Sequence, residues 1–222
     1  MRVFGFVEGP ADRVALGVLF DPIIEQGQAN GVGIRFLPLG GKSAVLNDAG
    51  RKAADHLSEE PEDWVIAIPD LYPMSVFDGT PNAHRSFAEM RQILIDRFQR
   101  RASERGLSAA VANHFRVHCL KHDLEVLLLA APNELKQRLK TQDALRRRWR
   151  APVEDQNDGQ PPKRVVEALF DQYRKKPRYE ATVDAPWILK RASLDMIVRA
   201  CPQHFAPLEQ DLRRLAMGEV LD

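Results

Sequence analysis

Three carboxylates stand where a chain of this pattern could do chemistry. Glu8 closes an apolar run, Val-Phe-Gly-Phe-Val at 3–7, and is followed by Gly9 and Pro10. Asp12 lies four residues on, in the first turn of an expected helix, and Asp70 follows Pro69 at the end of another apolar run, 64–68. If the first and third runs are neighbouring strands, the three side chains converge at one sheet edge. That is how an all-oxygen site for a hard cation such as Mg2+, or Mn2+, is assembled. A cation so held suits phosphodiester chemistry, because it orients a phosphate, lowers the pKa of a bound water and neutralises charge on the leaving oxygen. The same residues also have a plain structural role, Asp12 as a helix cap and Asp70 as the cap of a turn ahead of Pro73. On spacing alone the capping role is the simpler one.

The elements that would position these groups follow from the hydrophobic pattern. Residues 3–7 read as a buried strand, followed by a helix from Asp12 whose stripe is Val14, Ala15, Val18, Leu19 and Ile23. A second strand is expected at 33–39 and a helix at 43–57, with Ala44, Leu46, Ala53, Ala54 and Leu57 inward. A third strand at 64–68 is then followed by a loop over 71–83 and a long helix over 85–105. A fourth strand at 115–119 leads into a short apolar helix at 122–130. Alternation of strand and helix implies a mostly parallel four-stranded sheet with crossover helices, an α/β fold. Beyond Pro132 only helical patterns appear, at 133–149, 163–174 and 186–217, with a break at 151–162. The organisation expected is therefore an α/β domain over 1–131 and a helical C-terminal extension over 132–222 packed on it as one compact unit.

Composition narrows the function classes. The 222 residues are 44% hydrophobic, enough for one substantial core. The 32 basic and 31 acidic residues leave a formal charge of +1, so nucleic-acid binding would have to be local rather than a property of the whole field. The densest basic run, Arg146, Arg147, Arg148 and Arg150 around Trp149, reads first as a solvated helix end and second as a phosphate-contacting patch. Cys119 and Cys201 have no metal-site spacing and are expected as buried free thiols. No apolar stretch approaches bilayer length and no signal peptide is recognisable, so no membrane association and a cytoplasmic location are expected. Gly40-Gly41-Lys42-Ser43 follows a strand and opens a helix, as a phosphate loop does. Phe36 stands where that motif needs its first glycine, so an ordinary strand-to-helix turn is the expectation. Met74, Met90, Phe87 and Phe98 are read as core or lid packing rather than a base-stacking platform.

The turn Val7-Glu8-Gly9-Pro10-Ala11-Asp12-Arg13 resembles the opening motif of the Toprim domain in the overcoming-lysogenization-defect nucleases, and Asp70 matches the first acid of the Toprim aspartate-x-aspartate motif. Over nearly its full length the chain is similar to a Toprim-like bacterial family, domain of unknown function 4276. Four pieces carry that likeness: the Glu8 turn, Pro69-Asp70-Leu71-Tyr72, His122 to Leu128, and the stretch from Pro161 to Pro202. The resemblance implies catalytic roles for Glu8 and Asp70 and a Mg2+ or Mn2+ site built from Glu8, Asp12, Asp70 and Glu125. Glu125 enters because Tyr72 occupies the place of the second Toprim aspartate, as is usual in the resembled family, and Glu125 follows the fourth strand. His122 is a candidate base or phosphate contact, with a helix cap as its plain alternative. Lys163 and Arg164 are candidate phosphate contacts or salt-bridge partners of the acidic edge.

The function implied is a metal-dependent Toprim-like phosphodiesterase or nuclease acting on nucleic acid, with a partner ATPase and a role in bacterial anti-phage defence. The alternative is a non-catalytic Toprim-scaffold subunit that binds a protein partner, which Tyr72 and the near-zero charge favour. A nucleotide-binding switch at 40–43 ranks third.

Overall fold

The computed structural model describes residues 1–157, 159–174 and 177–221. The elements run β1 (Arg2–Val7), α1 (Pro10–Leu19), α2 (Asp21–Ala29), β2 (Gly33–Pro38), α3 (Lys42–Glu59) and β3 (Trp64–Ala67). They continue with α4 (Phe87–Arg105), α5 (Ala109–Ala112), β4 (Phe115–Val117), α6 (Glu125–Leu129) and α7 (Pro132–Leu139). The last four are α8 (Pro162–Tyr173), α9 (Ala181–Leu189), α10 (Leu194–Ala200) and α11 (Phe205–Ala216).

The four strands form one sheet, every pair parallel, in the order β2-β1-β3-β4. Val3 lies opposite Trp64 and Phe6 opposite Ala67, so β1 and β3 are the neighbours that convergence of their acids requires. A bridge between Asp70 and Leu120 carries the β3–β4 pairing past the ends of both strands. After β1 the chain moves outward to β2 and then returns across β1 to β3. The reversal makes the carboxyl ends of β1 and β3 the topological switch point, where open parallel sheets bind ligands.

Both faces of the sheet are covered, as an all-parallel sheet requires. One core joins Val65, Ala67 and Phe115 of the sheet to Val45, Leu46 and Ala53 of α3 and to Met90, Leu94 and Phe98 of α4. Gly50 lets α3 and α4 approach, because a Cβ there would lie 2.7 Å from the Leu94 carbonyl oxygen and 2.8 Å from the Phe98 nitrogen. The other core joins Val3, Val7, Trp64 and Ile66 to α1, α2, α6 and the helices after Pro132. Phe20 stacks on Phe36 of β2 at 5.9 Å and on Phe205 of α11 at 5.5 Å, so the last helix packs into the same core as the sheet.

Four helices differ from the sequence reading. The helix expected from Asp12 through Ile23 begins at Pro10 with Gly9 as its cap and stops at Leu19; α2 starts afresh with Pro22, which has no N–H to lose, in its first turn. The helix at 122–130 contracts to Glu125–Leu129. The helix over 133–149 ends at Leu139, where Lys140 takes the left-handed conformation at φ 57°. The run Arg146–Arg150 is therefore not a helix end, and Lys136 and Arg138 supply the cations of the last turn of α7. The stretch 186–217 divides among α9, α10 and α11, with Pro202 in the second gap. The Glu154 side chain, 1% exposed, accepts the N–H groups of Gln203, His204 and Phe205 at 2.6, 2.8 and 3.1 Å. This carboxylate caps α11 across the chain.

Candidate active site

The turn after β1 is built from both sides. Pro10 at the first helical position and Gly9 as cap start α1 abruptly, and the Asp12 side chain reaches back to accept the Gly9 N–H at 2.7 Å. The Glu8 carbonyl accepts the N–H groups of Gly40 (3.0 Å) and Gly41 (2.7 Å). Both glycines hold left-handed φ angles, 98° and 107°, which any side chain would strain. The Gly40-Gly41 turn thus stitches the end of β2 to the end of β1, and Lys42 follows at the start of α3. The Lys42 ammonium donates to the carbonyls of Leu71 (2.8 Å) and Pro73 (3.1 Å), just beyond β3.

Glu8 and Asp70 meet directly, the Glu8 Oε1 accepting the Asp70 N–H at 2.9 Å. A cleft of about 360 Å³ opens here, lined by Glu8, Asp12, Asp70, Asp123, Glu125 and Lys163. Five carboxyls thus stand near two amines, Lys42 and Lys163, and burial, with the surrounding charges second, shifts the proton affinities of Glu8, Asp12, Asp70, Asp123 and Lys42. Burial first, then the negative Asp12, pushes the Glu8 carboxyl from its ordinary 4.5 up to about 7, against the pull of the Asp70 N–H and Lys42. Asp70 is raised well above the carboxylate range by burial and by the charges of Glu8, Asp12 and Asp123. Asp12 is raised by burial, with the Gly9 N–H opposing. Burial lowers Lys42, against Glu8 and Asp70.

Of the residues singled out in the sequence, Glu8, Asp12, Asp70, Glu125 and Lys163 line this cleft. Asp12 also performs the capping role. Glu125 is 3% exposed at the start of α6, and the Tyr179 hydroxyl beside it is pushed upward by burial and by the Glu125 charge. His122 lies in the neighbouring cavity, where Tyr72 stacks on it at 4.9 Å and its Nε2 meets the Glu154 carbonyl at 3.1 Å. Arg164 turns away to pair with Glu167 of its own helix at 3.1 Å.

Two members of the site were not among the candidate site residues: Asp123, and Lys42, which was weighed within Gly40-Gly41-Lys42-Ser43 and read as part of an ordinary turn. Asp123 lines both the acidic cleft and the neighbouring cavity. Its Oδ2 accepts the Lys163 N–H at 3.3 Å, and burial followed by the Glu125 charge pushes it up to about 7. Its place two residues before Glu125, in the segment following β4, was the available signal. Lys42 had one too: the turn after β2 opens on the same edge as Glu8 and Asp70.

In donor chemistry and charge the cleft fits a divalent cation: its candidate ligands are carboxylates, and Glu8, Asp12, Asp70 and Asp123 are raised by burial first and then by one another's and Glu125's charges. The ligands are not gathered in advance. Among the described residues no three His, Cys, Asp and Glu side chains stand close enough to hold a metal ion. Glu8, Asp12 and Asp123 are each drawn to a backbone N–H instead.

Among the described residues no helix is long and apolar enough to cross a membrane. No curated protein and no solved structure matches the chain. The family described as DUF4276, domain of unknown function, matches residues 7–213, which takes in every residue of the cleft. The chain belongs to the DUF4276 family.

Proposed function

We propose that the cleft at the ends of β1 and β3 is the active site of a Toprim-like, divalent-cation-dependent phosphodiesterase that acts on nucleic acid. The observation that carries this reading is the Glu8–Asp70 hydrogen bond at the switch point, with both carboxyls raised and Glu8 near 7. A carboxyl poised there exchanges protons at neutral pH. Glu8, Asp12, Asp70, Asp123 and Glu125, which line the cleft, would supply the ligands for Mg2+ or Mn2+. The bound cation would orient the phosphate and acidify a water.

The chain's own groups divide the remaining work. Ionised Glu8 accepts the proton of the attacking water as its oxygen bonds to phosphorus. The alkoxide released when the phosphorus–oxygen ester bond breaks would take its proton from water, because the carboxyls that hold the cation are ionised. Lys163, exposed at the mouth, attracts the phosphate, and Lys42 holds the Asp70 loop through the Leu71 and Pro73 carbonyls. Resemblance to the overcoming-lysogenization-defect nucleases adds a partner ATPase and a role in defence against phage to the proposal, by analogy alone.

Incubation of the protein with single-stranded and supercoiled DNA and with RNA, in Mg2+ and in Mn2+, tests the reading. Cation-dependent cleavage that falls about a hundredfold or more in Glu8→Gln supports it. Cleavage unchanged in Glu8→Gln overturns it. A second reading, a scaffold that keeps the cleft to bind a protein partner, is favoured by the ungathered carboxylates and by Tyr72 in place of an acid. It expects no specific cation uptake.

A further inference from the structure

The run Arg146-Arg147-Arg148-Trp149-Arg150, between α7 and α8, takes no part in the acidic cleft. Residues 132–150 carry seven basic and two acidic side chains while the whole chain has a formal charge of only +1, so positive charge is concentrated in this segment. We propose that it is a docking surface for single-stranded nucleic acid, with its cations on successive phosphates and one unpaired base seated against Trp149. That the bound strand is the one presented to the cleft rests on the phosphodiesterase reading; the binding itself does not.

Three observations carry the inference. The first is uncompensated charge: among the described residues Lys136, Arg146, Arg147 and Arg148 form no ion pair, and the Arg147 guanidinium donates to the neutral Gln160 Oε1 at 2.8 Å. Arg51, Arg85, Arg164 and Arg213, by contrast, each hold an Asp or Glu. Neighbouring cations repel, and a polyanion relieves that repulsion while releasing its own counterions. The second is a fixed backbone. The Tyr173 hydroxyl accepts the Arg146 N–H at 3.1 Å, and the buried Gln156 accepts the Arg150 N–H at 3.1 Å and donates to the Gln160 carbonyl at 2.9 Å. The run is held in shape outside any helix, so a ligand has less ordering left to impose. The third is an open recess of about 340 Å³, lined by Trp149, Leu145 and Pro132 together with Lys136, Arg147 and Arg148. An indole among cations is what strand-binding surfaces use: a base stacks on the ring while the flanking phosphates meet the charges. A duplex keeps its bases stacked inside, which favours a single strand. A lipid surface fits less well, because interfacial segments offer a continuous apolar helix face, and this run is not helical and follows the polar Thr141, Gln142 and Asp143. Gln160, which Arg147 touches, precedes Lys163 of the cleft by three residues, a span of at most roughly 11 Å.

Fluorescence anisotropy of a labelled oligothymidylate, titrated with the full chain in EDTA, reads this surface without the cation that the cleft needs. Saturable binding is expected, weakening with salt at a slope of about −2 in log K against log salt for about three phosphate contacts. Arg146→Gln combined with Arg148→Gln, both exposed positions, should weaken binding roughly tenfold or more at low salt and reduce that slope by about 1.4, with melting temperature and Mg2+ uptake unchanged. Trp149→Leu keeps an apolar side chain against the core and should weaken binding roughly tenfold with the slope unchanged. A duplex of the same length and phosphatidylserine vesicles should both bind more weakly than the single strand. Absence of salt-sensitive binding by the parent, full binding by the arginine double variant or by Trp149→Leu, or a duplex or vesicle preferred to the single strand overturns the inference. Any of these with Mg2+ uptake intact leaves the phosphodiesterase reading standing. Strand binding by a chain that takes up no Mg2+ supports the surface and sinks that reading.

Discussion

The Glu8 carboxylate, at the end of β1, accepts the backbone N–H of Asp70, beyond β3, at 2.9 Å. Main-chain geometry at one strand end therefore positions the charge of the other. The Glu8 folded pKa of about 7, against an ordinary 4.5, means that the folded state keeps a proton the unfolded chain releases. The contribution of Glu8 to stability accordingly falls as pH rises from about 4.5 to about 7, and the full deficit, on the order of 3 kcal/mol, is present above that window. Glu8→Gln keeps an acceptor for the Asp70 N–H and removes the charge. In urea melts it should be more stable than the parent by roughly 1–3 kcal/mol at about pH 8 and nearly equal to it at about pH 4. Equal stability at both would show that Glu8 is not strained by its burial.

Lys42 links two features, the carbonyls of Leu71 and Pro73 and the charges of Glu8 and Asp70. Lys42→Met should destabilise the protein by about 2 kcal/mol at pH 8 and by less at pH 4, where the carboxyls are neutral and only the carbonyl contacts are lost. The carbon resonance of the Glu8 carboxyl, followed by NMR against pH, should titrate later still. An unchanged Glu8 titration would place Lys42 outside the electrostatics of the cleft.

Glu154 satisfies three backbone donors at the start of α11 while buried. Glu154→Ala leaves them unpaired and should cost on the order of 3 kcal/mol, with Glu154→Gln intermediate. Thermal melts read the difference. Because α11 carries Phe205 against Phe20, hydrogen exchange should rise in α11 first. A loss below about 1 kcal/mol would mean that water replaces the cap.

At Gly50 a methyl group would meet backbone atoms of α4, which cannot swing aside as a side chain can. Gly50→Ala should lower stability by about 1–3 kcal/mol despite the better helix propensity of alanine. A neutral or stabilising result would show that α3 and α4 separate freely.

The sheet was legible because each strand is an apolar run ending in a turn: 3–7 before Glu8-Gly9-Pro10, and 64–68 before Pro69-Asp70. Alternation with helices then gave parallel strands, and the order that makes β1 and β3 neighbours placed Glu8 beside Asp70. Helix ends beyond Pro132 were less legible because hydrophobic spacing continues through breaks. The left-handed Lys140 and the carboxylate cap that Glu154 supplies from across the chain are tertiary facts with no local periodic signature. Asp123 escaped notice, and Lys42 was read as part of an ordinary turn, for a related reason. Each is unremarkable in its own segment, and its chemistry comes from what stands opposite: Leu71 and Pro73 for Lys42, and Glu125 with the Lys163 N–H for Asp123.

The most direct test of the cleft is calorimetric titration of Mg2+ and Mn2+ into the parent chain, Glu8→Gln and Asp70→Asn at about pH 7, in buffers of different ionisation enthalpy. The parent should take up the cation saturably and release protons, because a divalent ion drives off those that Glu8 and Asp123 retain near neutrality. Both variants should lose the uptake. Absence of saturable binding by the parent, or uptake that both variants retain, would contradict a cation site between Glu8 and Asp70.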